Sequence, residues 1–174
     1  YVALIENLGG SPTRWAPPRY LSGGGKLIRE QARPSGSIQG PAEAKWGYSI
    51  LSVADWDGDG LPDIMTNGIW GKVVWYKNVG TRKAPKLAAG QPVELAPGVK
   101  SQKPAWNWWN PKGQELVSQW RTTPQMVDWN NDGLMDLVMS DVEGYLALYE
   151  RKRGTDGKLT LSAPQRVFWS EGAS

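Results

Sequence analysis

The chain has 174 residues, a net charge of +3, 21 Gly, 13 Pro and 11 Trp, and it contains neither Cys nor His. Disulfides, zinc sites built from Cys or His, and catalysis by a Cys nucleophile or a Ser–His pair are therefore excluded within this chain. The small positive charge gives no reason to expect a nucleic-acid partner, and no apolar run reaches the ~20 residues that would cross a bilayer.

Residues 1–20 are predicted to be the end of a preceding strand-rich unit. They open on YVALIENLGG, which is typical of the middle of a strand, and VALIENLG at 2–9 is similar to VVWYKNVG at 73–80. We therefore expect the sequence to be a fragment of a longer polypeptide or to be completed by other chains. Residues 21–48 follow as a Gly-, Pro- and Ser-rich insertion between units.

Residues 49–98 contain four predicted strands. The runs ILSVADW, DIMTN and GKVVWYKN are short and apolar, with partial alternation, and QPVELA follows as a fourth, outer strand. An acidic loop, DWDGDGLPD at 55–63, separates the first two runs. The many Gly and Pro residues agree with short strands joined by turns.

Residues 119–174 repeat this unit after a Trp-rich insertion at 99–118. The loop at 55–63 matches DWNNDGLMD at 128–136 with a shift of 73 residues, and the second copy becomes one residue longer after Tyr149. Four strands per repeat are typical of a propeller blade. The sequence therefore predicts an all-β fold, a partial β-propeller with about two four-stranded blades and part of a third.

The two acidic loops are predicted calcium sites. Oxygen atoms from alternate positions of a tight loop can wrap a hard cation such as Ca²⁺, and Gly60 and Gly133 permit the turn. The alternative is a pair of Asx-rich turns without metal. The second loop carries one carboxylate fewer and is expected to bind more weakly. The predicted ligands are Asp55, Asp57, Asp59, the Leu61 carbonyl and Asp63, and then Asp128, Asn130, Asp132, the Leu134 carbonyl and Asp136.

The segments DWDGDGLPDI and DWNNDGLMDL, each followed by GKVVWYKNVG or GYLALYERKRG, resemble the FG-GAP/VCBS repeats of β-propellers. The resemblance covers about 50–80 and 120–154, with 1–10 as a partial blade. Such blades occur in integrin α-subunit heads, in fungal and bacterial lectins, and in bacterial polysaccharide-processing proteins. The Trp-rich insertions favour the bacterial, carbohydrate-associated type, which implies a secreted, periplasmic or cell-surface protein. Because propellers close with about four to eight blades, the remaining blades would come from a longer chain or from other subunits.

Strand order places the candidate ligand site at the end of the sheets opposite the acidic loops. Aromatic rings there suit the apolar faces of sugar rings, and Arg121 suits the carboxylate of an acidic sugar. The alternatives are a buried Trp cluster that holds the insertion and a surface salt bridge for Arg121. The candidate residues are Trp46, Tyr48, Trp70, Trp106, Trp108, Trp109, Trp120 and Arg121.

Three functions agree with these features. The first is binding of a polysaccharide or other glycan, acidic glycans included. The second is a propeller polysaccharide lyase, with Tyr48 or Lys72 as base and Arg121 as its partner, or a glycoside hydrolase that uses Asp141 and Glu143. The third is a platform for protein–protein interaction. No complete catalytic constellation is evident in the sequence.

Overall fold

Sixteen short strands make up the secondary structure of the computed structural model, which describes residues 1–32, 45–106 and 109–168. No α-helix occurs in these ranges, and the predicted all-β class is confirmed. None of the described residues belongs to a helix that is long and apolar enough to cross a membrane.

The first 32 residues form three small antiparallel sheets of two strands each. Residues 1–20, predicted as the end of a unit, fold as a hairpin with two paired regions, and the next strand pair leans on the first large sheet, where the Gly24 N–H donates to the Leu87 carbonyl at 3.0 Å. The predicted insertion 21–48 lies partly outside the described residues. The pairs are β1 (Ala3–Leu4) with β4 (Arg19–Tyr20), β2 (Asn7–Gly9) with β3 (Arg14–Trp15), and β5 (Ser22–Gly23) with β6 (Lys26–Leu27).

The next four strands form an antiparallel sheet in which chain order and spatial order coincide. They are β7 (Ile50–Ala54), β8 (Asp63–Asn67), β9 (Val74–Tyr76) and β10 (Gln91–Pro92). The apolar run DIMTN is β8 from end to end, and it is buried throughout because it lies between two neighbouring strands. The fourth strand is much shorter than QPVELA predicts.

A second four-stranded antiparallel sheet follows, with a hairpin inserted before its last strand. Its order is β11–β12–β13–β16, and β14 pairs with β15 in the hairpin. The inner strands keep the 73-residue shift, whereas Val74↔Pro92 corresponds to Ala147↔Arg166, so the last strand is shifted by one residue more. The strands are β11 (Gln125–Val127), β12 (Asp136–Ser140), β13 (Leu146–Tyr149), β14 (Arg151–Arg153), β15 (Leu159–Leu161) and β16 (Gln165–Arg166).

The two large sheets share one apolar core. Each large side chain in it contributes roughly 1.5–3 kcal/mol by leaving water. The Ser52 hydroxyl also donates to the Pro124 carbonyl, which joins the first strands of the two sheets. Neither sheet closes on itself in the described chain. The core residues are Trp56, Met65, Val73, Val93, Leu95, Leu116, Met126, Leu137, Met139, Ala147, Tyr149 and Leu161.

The end of the predicted Trp-rich insertion enters this core. Leu116 donates its N–H to the Val93 carbonyl at 2.8 Å, and Ser118 donates to the Gly71 carbonyl at 3.1 Å. Leu116, Val117 and Ser118 are buried. The end of the insertion is therefore part of the packed core that the two sheets share, and it does not pass over the surface.

Candidate functional site

Both acidic loops share two backbone hydrogen bonds to their first aspartate. The Asp55 carboxylate accepts from the N–H groups of Asp59 at 3.1 Å and Gly60 at 2.8 Å. The Asp128 carboxylate accepts from Asp132 and Gly133, both at 3.0 Å. The first aspartate therefore folds each loop around its own oxygen atoms, as in an Asx turn.

Left-handed backbone geometry recurs at matching loop positions. Gly60 and Gly133 have φ angles of +86° and +85°, where a residue without Cβ is favoured. Two residues earlier, Gly58 has φ +77° and Asn131 has φ +58°. Asn is one of the few other residues that adopt this region readily, so the second loop keeps the turn without the glycine.

The last aspartate of each loop is fully buried and joins the loop to the sheet. Asp63 accepts from the Trp56 N–H at 3.2 Å and the Asn78 N–H at 2.7 Å. Asp136 accepts in the same way from Trp129 at 3.1 Å and Arg151 at 2.7 Å. Burial raises the pKa of Asp63, and these N–H donors oppose that rise because they stabilise the carboxylate.

Three carboxylates of the first loop come together as a possible cation cage. One oxygen each from Asp55, Asp57 and Asp63 lies within 4.8 Å of the other two, a spacing that suits oxygens on either side of a calcium ion, whose bonds are about 2.3–2.6 Å long. Asp57 Oδ1 is buried and has no hydrogen-bond partner. An unpartnered carboxylate oxygen in an acidic loop fits a hard divalent cation.

Asp59, a predicted ligand, faces a lysine instead of this cage. Its carboxylate accepts from the Leu61 N–H at 3.0 Å and pairs with the Lys77 ammonium at 2.9 Å. Lys77 also binds Asp57, and the hydrogen bonds to both carboxylates raise the pKa of Lys77. Lys77 therefore neutralises part of the charge that the sequence analysis assigned to a metal ion alone.

The second loop has no equivalent three-carboxylate group among the described residues. Asn130 stands at the position of Asp57, so only two acids occupy the places of the cage. The Asn130 amide donates to Asp132 at 3.1 Å, and the Asp132 carboxylate accepts from the Leu134 N–H at 2.8 Å. In the second loop, neutral N–H donors thus take the place that the Lys77 ammonium has in the first.

Four loop segments meet at the opposite end of the sheets, where the sequence placed them. Backbone hydrogen bonds join Ile69 N–H to the Gly47 carbonyl, Arg121 N–H to the Gly68 carbonyl, and Gln119 N–H to the Asp141 carbonyl, at 2.9, 3.0 and 3.1 Å. The five residues of β8 separate this surface from the acidic loop by roughly 13–16 Å of extended chain.

Most of the predicted tryptophans on this surface contact one another or the backbone. The Trp70 indole N–H donates to the Gln31 carbonyl at 2.8 Å, and the Trp109 indole donates to the Trp70 carbonyl at 2.6 Å. Trp106 and Trp120 stack with ring centroids 5.5 Å apart. These half-buried rings hold the insertion against the sheets; Trp108 lies outside the described residues.

Trp46 and Tyr48 differ from these rings because they remain exposed, at 57% and 41%. They line a cleft of about 470 Å³ together with Tyr1, Arg29, Glu30, Lys45, Gly47 and Ser49. Gly47 is required between the two aromatics because a Cβ there would lie 2.3 Å from the Glu30 backbone. The close approach of the Gly47 and Glu30 backbones thus positions the Trp46 and Tyr48 rings at the cleft.

Tyr48 and Arg121 form a pair with unusual backbone geometry. Both are non-glycine residues with positive φ, +51° and +58°, and the Arg121 guanidinium lies 4.3 Å from the centre of the Tyr48 ring. Each left-handed residue of this kind costs on the order of 1–3 kcal/mol, and such strain concentrates at functional sites. Two strained residues that touch each other beside one cleft mark it as a candidate binding site.

The carboxylate pair considered for hydrolysis is engaged in a structural contact. Asp141 is buried and accepts from Arg166 Nε at 2.7 Å, while Glu143 binds the same guanidinium. Asp141 also accepts from the N–H groups of Glu143 and Tyr145, at 2.9 and 3.0 Å. This arrangement fixes the loop after β12, and both carboxylates bind the same guanidinium.

A larger cavity, of about 630 Å³, lies between β10 and the β14–β15 hairpin. Trp56, Trp75 and Arg151 contribute to its walls, but none of the predicted ligand-binding residues in the described ranges does. It lacks the exposed aromatic pair of the cleft. We therefore place the candidate binding site at the cleft.

The sequence patterns did not indicate Lys77 or the cleft residues Tyr1, Arg29, Glu30 and Lys45. Lys77 follows an alternating strand pattern three residues before the end of the repeated segment 54–80, and nothing local links it to the acidic loop. The cleft residues come from both sides of a Gly- and Pro-rich segment. Their proximity depends on tertiary contacts, so no short motif could have revealed it.

Comparisons with known proteins add no relative: no family model, no curated protein and no solved structure matches this chain.

Proposed function

We propose that this chain is a calcium-stabilised segment of a β-propeller, and that it binds polysaccharide outside the cell or in the periplasm. Two consecutive four-stranded antiparallel sheets with the same loop between their first two strands support the propeller. The carboxylate cage with an unpartnered Asp57 oxygen supports the cation.

The observation that carries glycan binding is the exposed Trp46–Tyr48 pair at the cleft. Aromatic rings are normally buried for their large apolar area, and here two rings two residues apart stay exposed beside charged side chains. Such a surface offers flat apolar faces for sugar rings and polar groups for their hydroxyls. The other described tryptophans of the set do not line the cleft and are expected to contribute less to ligand contact; they are Trp70, Trp106, Trp109 and Trp120.

The test is retention of the protein on a panel of neutral and acidic polysaccharides in native affinity gels. We expect retardation by at least one glycan and about tenfold weaker binding for Trp46→Ala, which corresponds to ~1.4 kcal/mol of lost contact. Trp15→Ala is the matched control, because Trp15 is also exposed, at 60%, but lies away from the cleft. Equal retention of both variants, or no retention by any glycan, would refute the proposal.

The same panel separates binding from catalysis. Absorbance at the unsaturated uronate band is followed during incubation with each acidic polysaccharide. Product formation would assign a lyase activity to the cleft, whereas retention without product agrees with a binding protein. Loss of binding in Trp46→Ala, with the thermal melt unchanged, distinguishes a glycan surface from a general protein-interaction platform.

A further inference from the structure

Resting on the proposed glycan binding, we propose that the cleft is selective for an anionic sugar unit, a uronate or a sulfated sugar, and that Arg29 and Lys45 bind its negative group. The negative group of the ligand is thus assigned to two residues that were not among the candidates predicted from the sequence. Arg121, the earlier candidate, takes a supporting position at the rim.

Arg29 and Lys45 supply the positive charge of the cleft. Both side chains are exposed, and neither pairs with a carboxylate in the described part of the chain. The Arg29 guanidinium lies 4.7 Å from the centre of the Tyr1 ring, which holds it at the wall of the cleft. A guanidinium positioned in this way can donate two parallel hydrogen bonds to a carboxylate or a sulfate.

Glu30, the acidic residue of the cleft wall, does not cancel this charge. It is half-buried, and burial raises its pKa, while the nearby Lys72 ammonium favours its ionised form. Gly68 packs against the Glu30 side chain, where a Cβ would lie 2.8 Å from Glu30 Cγ. Glu30 is thus balanced by Lys72 from the loop after β8, and Arg29 and Lys45 remain in excess.

Cations paired with aromatic rings recur around the cleft. Arg121 lies over Tyr48 at 4.3 Å and near Trp120 at 5.4 Å, and Lys72 lies over Trp109 at 4.4 Å. A ring that carries a cation on one side presents a flat face beside positive charge. That combination fits a ligand with both an apolar ring face and an anionic group. A neutral glycan would contact the aromatic rings but would not use the positive charge.

The volume of the cleft agrees with a short oligosaccharide. Small-ligand sites usually measure about 300–1,000 Å³, and the cleft measures about 470 Å³. Trp46 and Tyr48 are separated by Gly47 alone, so a sugar that contacts both rings lies across the segment that also carries Lys45. Arg29 lines the same cleft from the neighbouring segment, which packs against Gly47.

The experiment measures binding of one oligosaccharide in two charge states by calorimetry. An oligogalacturonate and its fully methyl-esterified form have the same sugar rings and differ in their carboxylates. We expect at least tenfold tighter binding of the acid form at low salt, and a loss of this preference as ionic strength rises. An oligosaccharide sulfated in place of the uronate distinguishes the two sources of negative charge.

Charge-removing variants then locate the contact. Arg29→Gln and Lys45→Gln are each expected to weaken binding of the acid form about tenfold and to leave the methyl ester unaffected. Lys26→Gln, in the exposed β6, is the control and should change neither. Thermal melts establish that the variants remain folded.

The outcomes separate this inference from the proposed function. Equal binding of acid and ester, reduced only by Trp46→Ala, would leave glycan binding standing and overturn the anionic selectivity. Acid-selective binding that survives both charge removals would overturn the assignment to Arg29 and Lys45. Absence of binding to either form and to every polysaccharide of the panel would overturn both proposals together.

Discussion

The loops at 55–63 and 128–136 share their backbone and differ in how they balance charge. Both are folded by an aspartate that accepts N–H groups within the loop, and both are joined to the sheet by a buried aspartate. The first loop adds two more carboxylates and binds Lys77, whereas the second replaces one of them by Asn130. The hydrogen bonds between the aspartates and the backbone N–H groups therefore set the shape of both loops. The groups that offset the negative charge differ from one loop to the other.

The loops also differ in what covers the tryptophan beside the first aspartate. Trp56 is 5% exposed, because the Arg151 guanidinium lies 3.9 Å from the centre of its ring and donates to its carbonyl. Trp129, at the same position in the second loop, is 43% exposed. Arg151, in β14 of the inserted hairpin, thus holds the first loop, so contacts between repeat units depend on residues outside the repeated loop.

The largest loss of stability is expected from removing the buried aspartate that both loops share. Asp63→Ala and Asp136→Ala each leave two backbone N–H groups without an acceptor, and all four are buried except the Trp129 N–H, which is partly buried. Each substitution should lower the free energy of unfolding by about 3 kcal/mol. Denaturant unfolding followed by tryptophan fluorescence measures this. Asp156→Ala, in the exposed turn between β14 and β15, is the control and should change stability by less than about 0.5 kcal/mol. If one loop variant matched the control, the shared role of the two aspartates would be wrong.

Much of this shared framework was predictable from the sequence. DIMTN and DLVMS agree with β8 and β12 in both bounds, because each apolar run starts at the loop aspartate and is buried on both sides. The one-residue lengthening after Tyr149 appears as the extra shift of β16. These predictions were strong because the sequence contains the same pattern twice, and each copy is a check on the strands predicted from the other.

The parts that were not predictable depend on contacts between distant residues. The double hairpin of residues 1–20 consists of strands of two or three residues, too short for any period to show. Lys77 reaches Asp57 across the sheet, and Arg29 and Lys45 line one cleft although a sequence segment without regular pattern separates them. Such pairings follow from tertiary packing, which local sequence does not encode.

The second largest effect concerns calcium binding, which should differ between the two loops. At one hundred times its Kd, calcium should stabilise the folded chain by ~2.7 kcal/mol, and chelation should reverse this. Asn130→Asp gives the second loop the missing carboxylate and should increase the stabilisation, while Asp57→Asn removes one negative charge from the first loop and should decrease it. Thermal melts with calcium and with chelator measure each change. Identical melting temperatures at millimolar calcium and in chelator would refute both metal sites.

The smallest effect tests whether Lys77 competes with the cation in the first loop. Lys77→Met removes the ammonium from Asp57 and Asp59, so without metal it should cost no more than about 1 kcal/mol, as for a partly exposed ion pair. With calcium, the freed carboxylates should bind about tenfold more tightly, because the repulsion between two cations is removed. Lys103→Met is the control, since the Lys103 ammonium also donates to a side-chain oxygen, that of Asn110, outside both acidic loops, and calorimetric titration should show no change for it. If Lys77→Met left the calcium affinity unaltered, the lysine would be a surface contact only, and charge balance in the first loop would rest on its backbone donors as it does in the second.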